Sequence, residues 1–371
     1  MRILVAPDKF KATLTADQVC ESIADALQKL GHVVDAMPLA DGGDGTAAVV
    51  LRHGFDARTA PVVDGLGRSR EGVIAWRGTD ALIEMAQVCG LATVCDGPLD
   101  PWRASSLGLG LAARAARDAG AASITLALGG SASIDGGVGL LEGLGFAVLD
   151  RRGNPVSADL VGMSQAASIE PIEIGGFWRV LVDVTSPLVG PLGAVRVFGP
   201  QKGLESRELG RVSAAMCRWA HLLERVFGVD VTLIAGGGAA GGVAAAAHAA
   251  LGATIESGAE FIADLTSLRE RVRAADVVVT GEGAFDEQTF SGKAPGLVIS
   301  IAREIGRPVY VVAGVTEWPE AEWRSRGVAG VVTCSDAAGS PELARREPRR
   351  WLDTSAIRLA QGFGPALGAV D

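Results

Sequence analysis

The side chains best suited to chemistry gather in a few loops. The stretch Asp276 to Lys293 reads DVVVTGEGAFDEQTFSGK, and its second half sets Glu282, Asp286, Glu287 and Lys293 beside Gly281 and Gly283. Near the amino terminus, PDKFK brings Asp8, Lys9 and Lys11 together, and ADGGDGT places Asp41 next to Gly42 and Gly43. GGSASIDGG, from Gly129 to Gly137, holds Gly130, Ser131, Asp135 and Gly136; Ser105 and Ser106 precede a Leu- and Ala-rich run, and Asp183 and Lys202 stand in DVTSPLVGP and FGPQKG. Carboxylates offer hard oxygens to a divalent cation such as magnesium, glycines let the backbone come close to a ligand, and lysines with free amides neutralise phosphate. One carboxylate can then orient or deprotonate a hydroxyl, which completes the equipment of phosphoryl transfer.

Competing chemistries fare worse. The four histidines, His32, His53, His221 and His248, sit in strand or helix contexts, and none follows a strand in a glycine loop, so neither a nucleophilic triad nor a zinc centre has its base or ligands. Gly236, Gly238 and Gly241 spell G-x-G-x-x-G after an expected strand at 231–235, with Glu256 and Glu260 near the spacing of a ribose-binding acid. That fingerprint comes late in the chain and has only 253–255 for its second strand, which argues against a dinucleotide site. A lysine-type P-loop fails because Ala294 follows Lys293 and Glu287 stands where its first glycine belongs.

These loops need strands to carry them. Valines 277, 278 and 279 form the continuous apolar run of a strand covered on both faces, and Arg2 to Ala6 reads the same way. In open α/β sheets ligands bind beyond the carboxyl ends of strands, where these polar loops lie. Thr15 and Gln18 make a capping box for a helix with Val19, Ile23 and Leu27 on one face, stopped by Gly31. A strand over His32 to Met37 follows, then a helix closing at Gly54. Residues 60–85 alternate and carry Asp64, Gly65 and Gly67, which predicts an antiparallel hairpin. Strands are expected at 123–128, 178–182, 308–313 and 328–333, with a helix from Pro295 to Ile305. The tail is again strand–helix–strand, so its sheet partners are expected to be the amino-terminal strands. This gives two α/β domains with mostly parallel sheets: one discontinuous, from 1–58 plus 288–371, and one inserted, from 59–287, with a small antiparallel element.

The chain has 371 residues, 50 of them glycine, and a formal net charge of -9, which allows two domains and disfavours nucleic-acid or anionic-membrane partners. An anionic substrate must therefore be met by a few placed lysines. Cysteines 20, 89, 95, 217 and 334 form no CxxC pair and are expected to be reduced. The start RILVA carries no signal-peptide pattern and no window is apolar enough to span a membrane, so a cytoplasmic location is expected.

In their order along the chain, APDKFKATLTADQV, PLADGGDGT, LGGSASIDGGVGLLEGLG, DVTSPLVGPLGAVRVFGPQKG, GAAGGVAAAAHAALGA and DVVVTGEGAFDEQTFSGKAPG resemble the type-1 bacterial glycerate kinases. The resemblance covers most of the chain to about residue 315. It implies phosphorylation of D-glycerate by ATP with magnesium, most readily at the 2-hydroxyl, and a two-domain α/β fold with its active site in the inter-domain cleft. On that basis Asp183 or Asp286 is expected on the acceptor hydroxyl, and Glu282 and Asp286 on magnesium. Lys11, Lys202 and Lys293 are expected to clamp phosphate or substrate carboxylate, and Gly129 to Gly137 to cradle nucleotide phosphates. Asp8, Asp41, Gly42, Gly43, Ser105 and Ser106 are expected among the substrate or nucleotide contacts. Lys9, Ala12, Ile134 and Ser186 depart from the family pattern, standing for serine, glycine, asparagine and asparagine. Alternatives are formation of 3-phosphoglycerate, a binding protein for small hydroxy acids, and a nicotinamide dehydrogenase. A monomer or homodimer is expected.

Overall fold

In a computed structural model the described residues are 1–363. Thirteen strands occur among them: β1 (Arg2–Val5), β2 (Val33–Ala36), β3 (Asp56–Val63), β4 (Ser69–Arg77), β5 (Asp80–Glu84), β6 (Ser123–Ala127), β7 (Ala147–Leu149), β8 (Ser168–Glu170), β9 (Phe177–Val182), β10 (Thr254–Ser257), β11 (Val277–Ala284), β12 (Val309–Val315) and β13 (Val328–Thr333). The chain forms two compact units, Met1–Asp41 with the chain from Ala259 onward, and Gly42–Gly258. These joins differ from those expected at 58/59 and 287/288. Helix Thr46–Arg52 packs on β4 and β5 of the second unit, while β11 hydrogen-bonds to β1 in the first.

The first unit is built on a five-stranded, wholly parallel sheet in the order β13-β12-β11-β1-β2. Ile3, Val5, Val277, Val279 and Val312 are buried beneath helices, as continuous β-branched runs require. Helix Ala16–Lys29 opens with the expected capping box, Thr15 with Gln18, and buries Val19, Ile23 and Leu27. Burying each such side chain fully contributes about 1.5–3 kcal/mol. From β1 the chain moves to β2 on one side, and from β11 it moves to β12 and β13 on the other. The order therefore reverses between β1 and β11, and their carboxyl ends flank the crevice where open α/β sheets bind ligands.

The second unit has a six-stranded mixed sheet in the order β10-β9-β6-β5-β4-β3. Strands β10, β9, β6 and β5 run parallel, and β5, β4 and β3 form antiparallel pairs. The expected hairpin is β3–β4, its turn closed by Asp64 N–H donating to the Arg68 carbonyl at 2.9 Å. The two-stranded β7–β8 ribbon and the long helix Leu209–Phe227 belong to this unit and had no counterpart in the sequence reading. No strand forms at 231–235. The glycine run 236–242 thus lacks the strand that a dinucleotide fingerprint needs. Among the described residues no helix is long and apolar enough to cross a membrane.

Candidate active site

Two sets of expected site residues are positioned by the two sheets, one in each unit. In the first unit, Asp8 follows β1, Asp41 follows β2, and Glu282 lies at the carboxyl end of β11, so three acids gather at one end of the sheet. Asp8 is pinned by its backbone, which donates to the Gly281 carbonyl at 2.8 Å. Its carboxylate accepts from the Lys9 amide at 2.7 Å, and the Lys9 ammonium lies 3.4 Å from Asp8 Oδ1 and 3.6 Å from Asp41 Oδ1. All three acids are buried. Asp8 is pushed up to about 7, chiefly by burial and then by the Asp41 charge, with Glu282 adding to this and Lys9 opposing it. Lys9 is thus the counter-ion of a crowded acidic group, a role that its residue type alone did not reveal.

Glu282 is raised by burial, and Asp286 adds to the rise. Against this, Thr289 Oγ1 donates to Glu282 Oε1 at 2.6 Å and Lys293 Nζ lies 3.5 Å from Oε2. Asp286 caps the turn Glu287–Phe290, its carboxylate accepting from the Gln288 amide at 2.8 Å. Lys293 is the N-cap residue of helix Ala294–Ile305, and Lys11 is exposed on the loop after β1. Ala12, where the family pattern has glycine, takes a left-handed backbone with φ of 64°. Gly281 has no positive φ; a Cβ there would lie 2.3 Å from the Val312 carbonyl oxygen, so strand pairing rather than a ligand excludes a side chain.

In the second unit the loops after β6 and β9 leave adjacent parallel strands, which places Gly129 and Asp183 at the same sheet end. Asp183 directly follows β9 and is partly buried. Gly129 approaches Gly43 so closely that a Cβ would come within 2.3 Å of its Cα, and Gly129 N–H donates to the Gly42 carbonyl at 3.2 Å. Beyond exposed Gly130 the loop turns inward, and Ser131 to Gly137 are all buried. The Asp135 carboxylate accepts from Ser106 N at 2.8 Å, Ser106 Oγ at 2.7 Å, Gly137 N at 3.1 Å and Gly139 N at 3.3 Å. The Leu140 amide donates to Ser106 Oγ at 2.9 Å, and Ser105 Oγ donates to the Ala158 carbonyl. The first amides of helix Val138–Leu144 are therefore occupied within the protein, so Ser106 and Asp135 cap that helix instead of leaving it open to an anion. Gly136 and Gly137 have φ of 64° and 82°, with Trp219 and Ala246 filling the space a Cβ would need.

Lys202 is 3 % exposed, and its Nζ meets Ser131 Oγ at 2.5 Å and the Ser133 carbonyl at 2.6 Å. Ile134 belongs to the apolar core. Glu84, buried at the end of β5, accepts from Gly45 N at 3.2 Å and Ala47 N at 2.7 Å, and so fixes the loop that carries Gly42 and Gly43. Its signal is a charge closing the buried apolar run Ala81–Ile83. Thr289 also went unnoticed, although Asp286 followed by Thr289 has the spacing of a capping pair.

The arrangement of the first unit, buried carboxylates and lysines at a topological switch point, suits a polyanionic ligand carried with a cation. Comparison with known proteins agrees. The model of the glycerate kinase family matches residues 3–363. Glycerate 2-kinase of Escherichia coli K12 is 35 % identical over 328 residues, covering 85 % of each chain. A glycerate kinase of Bacillus subtilis 168 is 34 % identical over 374 residues, covering 97 % of each. A crystal structure from Salmonella typhimurium LT2, carrying the provisional name glycerate kinase 2, superposes with a TM-score of 0.77 at 34 % identity, over 98 % of this chain and 99 % of that one. This chain belongs to the glycerate kinase family.

Proposed function

We propose that the protein transfers the γ-phosphoryl group of ATP to the 2-hydroxyl of D-glycerate, giving 2-phosphoglycerate and ADP. The observation that carries this reading is the acid and lysine group at the β1/β11 switch point: Asp8, Lys9, Asp41, Glu282 and Lys293. The choice of the 2-hydroxyl rests on the likeness to the Escherichia coli 2-kinase. In the transfer the acceptor oxygen bonds to the γ-phosphorus, the bond to the bridging oxygen of ADP breaks, and the hydroxyl proton leaves. Asp183 or Asp286 takes that proton or orients the hydroxyl. Lys11 and Lys293 neutralise phosphate or the substrate carboxylate, and Gly130, the exposed residue of the glycine loop, contacts the nucleotide.

Magnesium fits the first unit. The Asp286 charge adds to the rise of Glu282, and a cation held by both would offset it. Among the described residues no three His, Cys, Asp or Glu side chains form a ready-made metal centre. Magnesium carried on ATP needs only one or two carboxylates, and it supplies neutralisation of charge on the β- and γ-phosphates.

Replacing Asp183 or Asp286 by Asn should lower kcat by about a hundredfold or more in the variant that loses the base. Asn caps a helix as well as Asp does, so Asp286→Asn keeps the local turn and tests the chemistry. Normal turnover in both variants would remove the assignment. Phosphorus NMR of the product decides the regiochemistry, with a 3-phosphoglycerate resonance ruling the 2-hydroxyl out.

A further inference from the structure

We infer that Lys202 is a positioning residue, holding the Ser131–Ser133 segment of the glycine loop from inside the second unit instead of touching substrate. Its functional consequence rests on the kinase reading above; its geometry does not. Lys202 lies in the turn Pro200–Lys202, whose C-cap Gly203 has a left-handed φ of 100°, and this turn sends the side chain inward. The ammonium reaches one hydroxyl and one carbonyl, Ser131 Oγ and Ser133 O, two residues apart on the same loop. With 3 % of its surface exposed it has no face for a ligand. From the other side the loop is held by Asp135 through Ser106, Gly137 and Gly139, and by Trp219 Nε1, which donates to the Gly136 carbonyl at 2.8 Å. The loop thus has two buried ionic anchors, and Gly130 is its exposed residue, with Gly129 half-buried against Gly43.

The groups that act on Lys202 are Asp135 and Cys89, both buried. Cys89 is pushed up to about 12 by burial and stays neutral across the working range. Burial brings Lys202 down to about 7, with the Asp135 charge opposing. Hydrogen bonds from an ammonium are roughly twice as strong as those from a neutral amine. The hold on the loop should therefore weaken as pH rises through 7, where the side chain loses its charge.

The test compares the intact protein with Lys202→Met by hydrogen exchange and by a coupled ADP-release assay between pH 6 and 8.5. Loop amides in 129–137 should exchange at least about tenfold faster in the variant, since losing even one of its two charge-assisted bonds has that effect. KM for ATP should rise with little change in kcat, and the dependence of KM on pH seen in the parent should disappear. Unchanged loop exchange with unchanged KM overturns the inference. A collapse of kcat with unchanged loop exchange also overturns it, because Lys202 then acts on substrate directly. Should the parent not phosphorylate glycerate, the kinase reading falls, and the exchange data alone decide the role of Lys202. If Lys202→Met does not fold, Ser131→Ala takes its place: faster loop exchange supports the inference, and unchanged exchange rejects it.

Discussion

Asp8 shows how far the first unit departs from an ordinary protein surface. A free aspartate ionises near 3.9, whereas burial and the Asp41 charge push Asp8 up to about 7, with Lys9 only partly compensating. Between these values the folded chain holds a proton that the unfolded chain has released. The Asp8 contribution to stability is therefore fully present below about pH 4 and is lost as pH rises through 7. Asp8→Asn removes the titration, so the stability of the parent relative to this variant should fall from pH 4 to pH 7, read from urea midpoints at each pH. A difference between parent and variant that stays flat across that range would show that Asp8 ionises normally. Lys9 adds a second handle. Lys9→Ser restores the residue of the family pattern but removes the ammonium at 3.4 and 3.6 Å from two buried carboxylates, so Asp8 should hold its proton to still higher pH. The Asp8 carboxyl resonance, followed by carbon NMR, would keep its titration midpoint in Lys9→Ser if Lys9 were a bystander.

At the scale of elements, the glycines in the best-matching motifs serve packing more than ligand approach. Gly281→Ala puts a methyl 2.3 Å from the Val312 carbonyl oxygen and must push β11 from β12, whereas Gly283→Ala meets nothing closer than the Lys11 amide nitrogen at 3.3 Å. The first should cost several kcal/mol and the second little, a contrast visible in thermal midpoints without any ligand present. Equal midpoints would return Gly281 to a ligand-binding role. The same contrast explains what the sequence made legible. Continuous apolar runs identify β1 and β11, the Thr15–Gln18 box begins its helix where expected, and Asp64 with Gly65 and Gly67 marks a true hairpin, because each signal is local. Partners far apart in sequence leave no local trace. Nothing near Lys202 announces Ser131, nothing near Glu84 announces the amides of Gly45 and Ala47, and nothing in SASIDGG announces that Asp135 is spent on Ser106. Strand positions, helix caps and turns are therefore legible in the sequence, whereas side chains spent on distant partners inside the protein are not.

At the scale of the molecule, the two units are put together differently from the chain, and this fixes how each can be dissected. The second unit is one continuous segment, Gly42–Gly258, with its own apolar core built around Leu109, Leu126, Leu140, Trp219 and Leu223. The first needs both chain ends, since β1 and β2 lie against β11 in a single sheet. A fragment of residues 42–258 should fold alone and unfold cooperatively in urea. A chain lacking residues 1–41 should instead leave β11 with an unpaired edge at Val277, Val278 and Val279, which β1 covers in the intact protein. An exposed, flat, β-branched edge recruits other strands, so this truncation should aggregate at concentrations where the 42–258 fragment stays monomeric. Light scattering of the two fragments side by side decides the matter. A soluble truncation would mean that β11 can close its own edge, and the switch point between β1 and β11 would lose its structural basis.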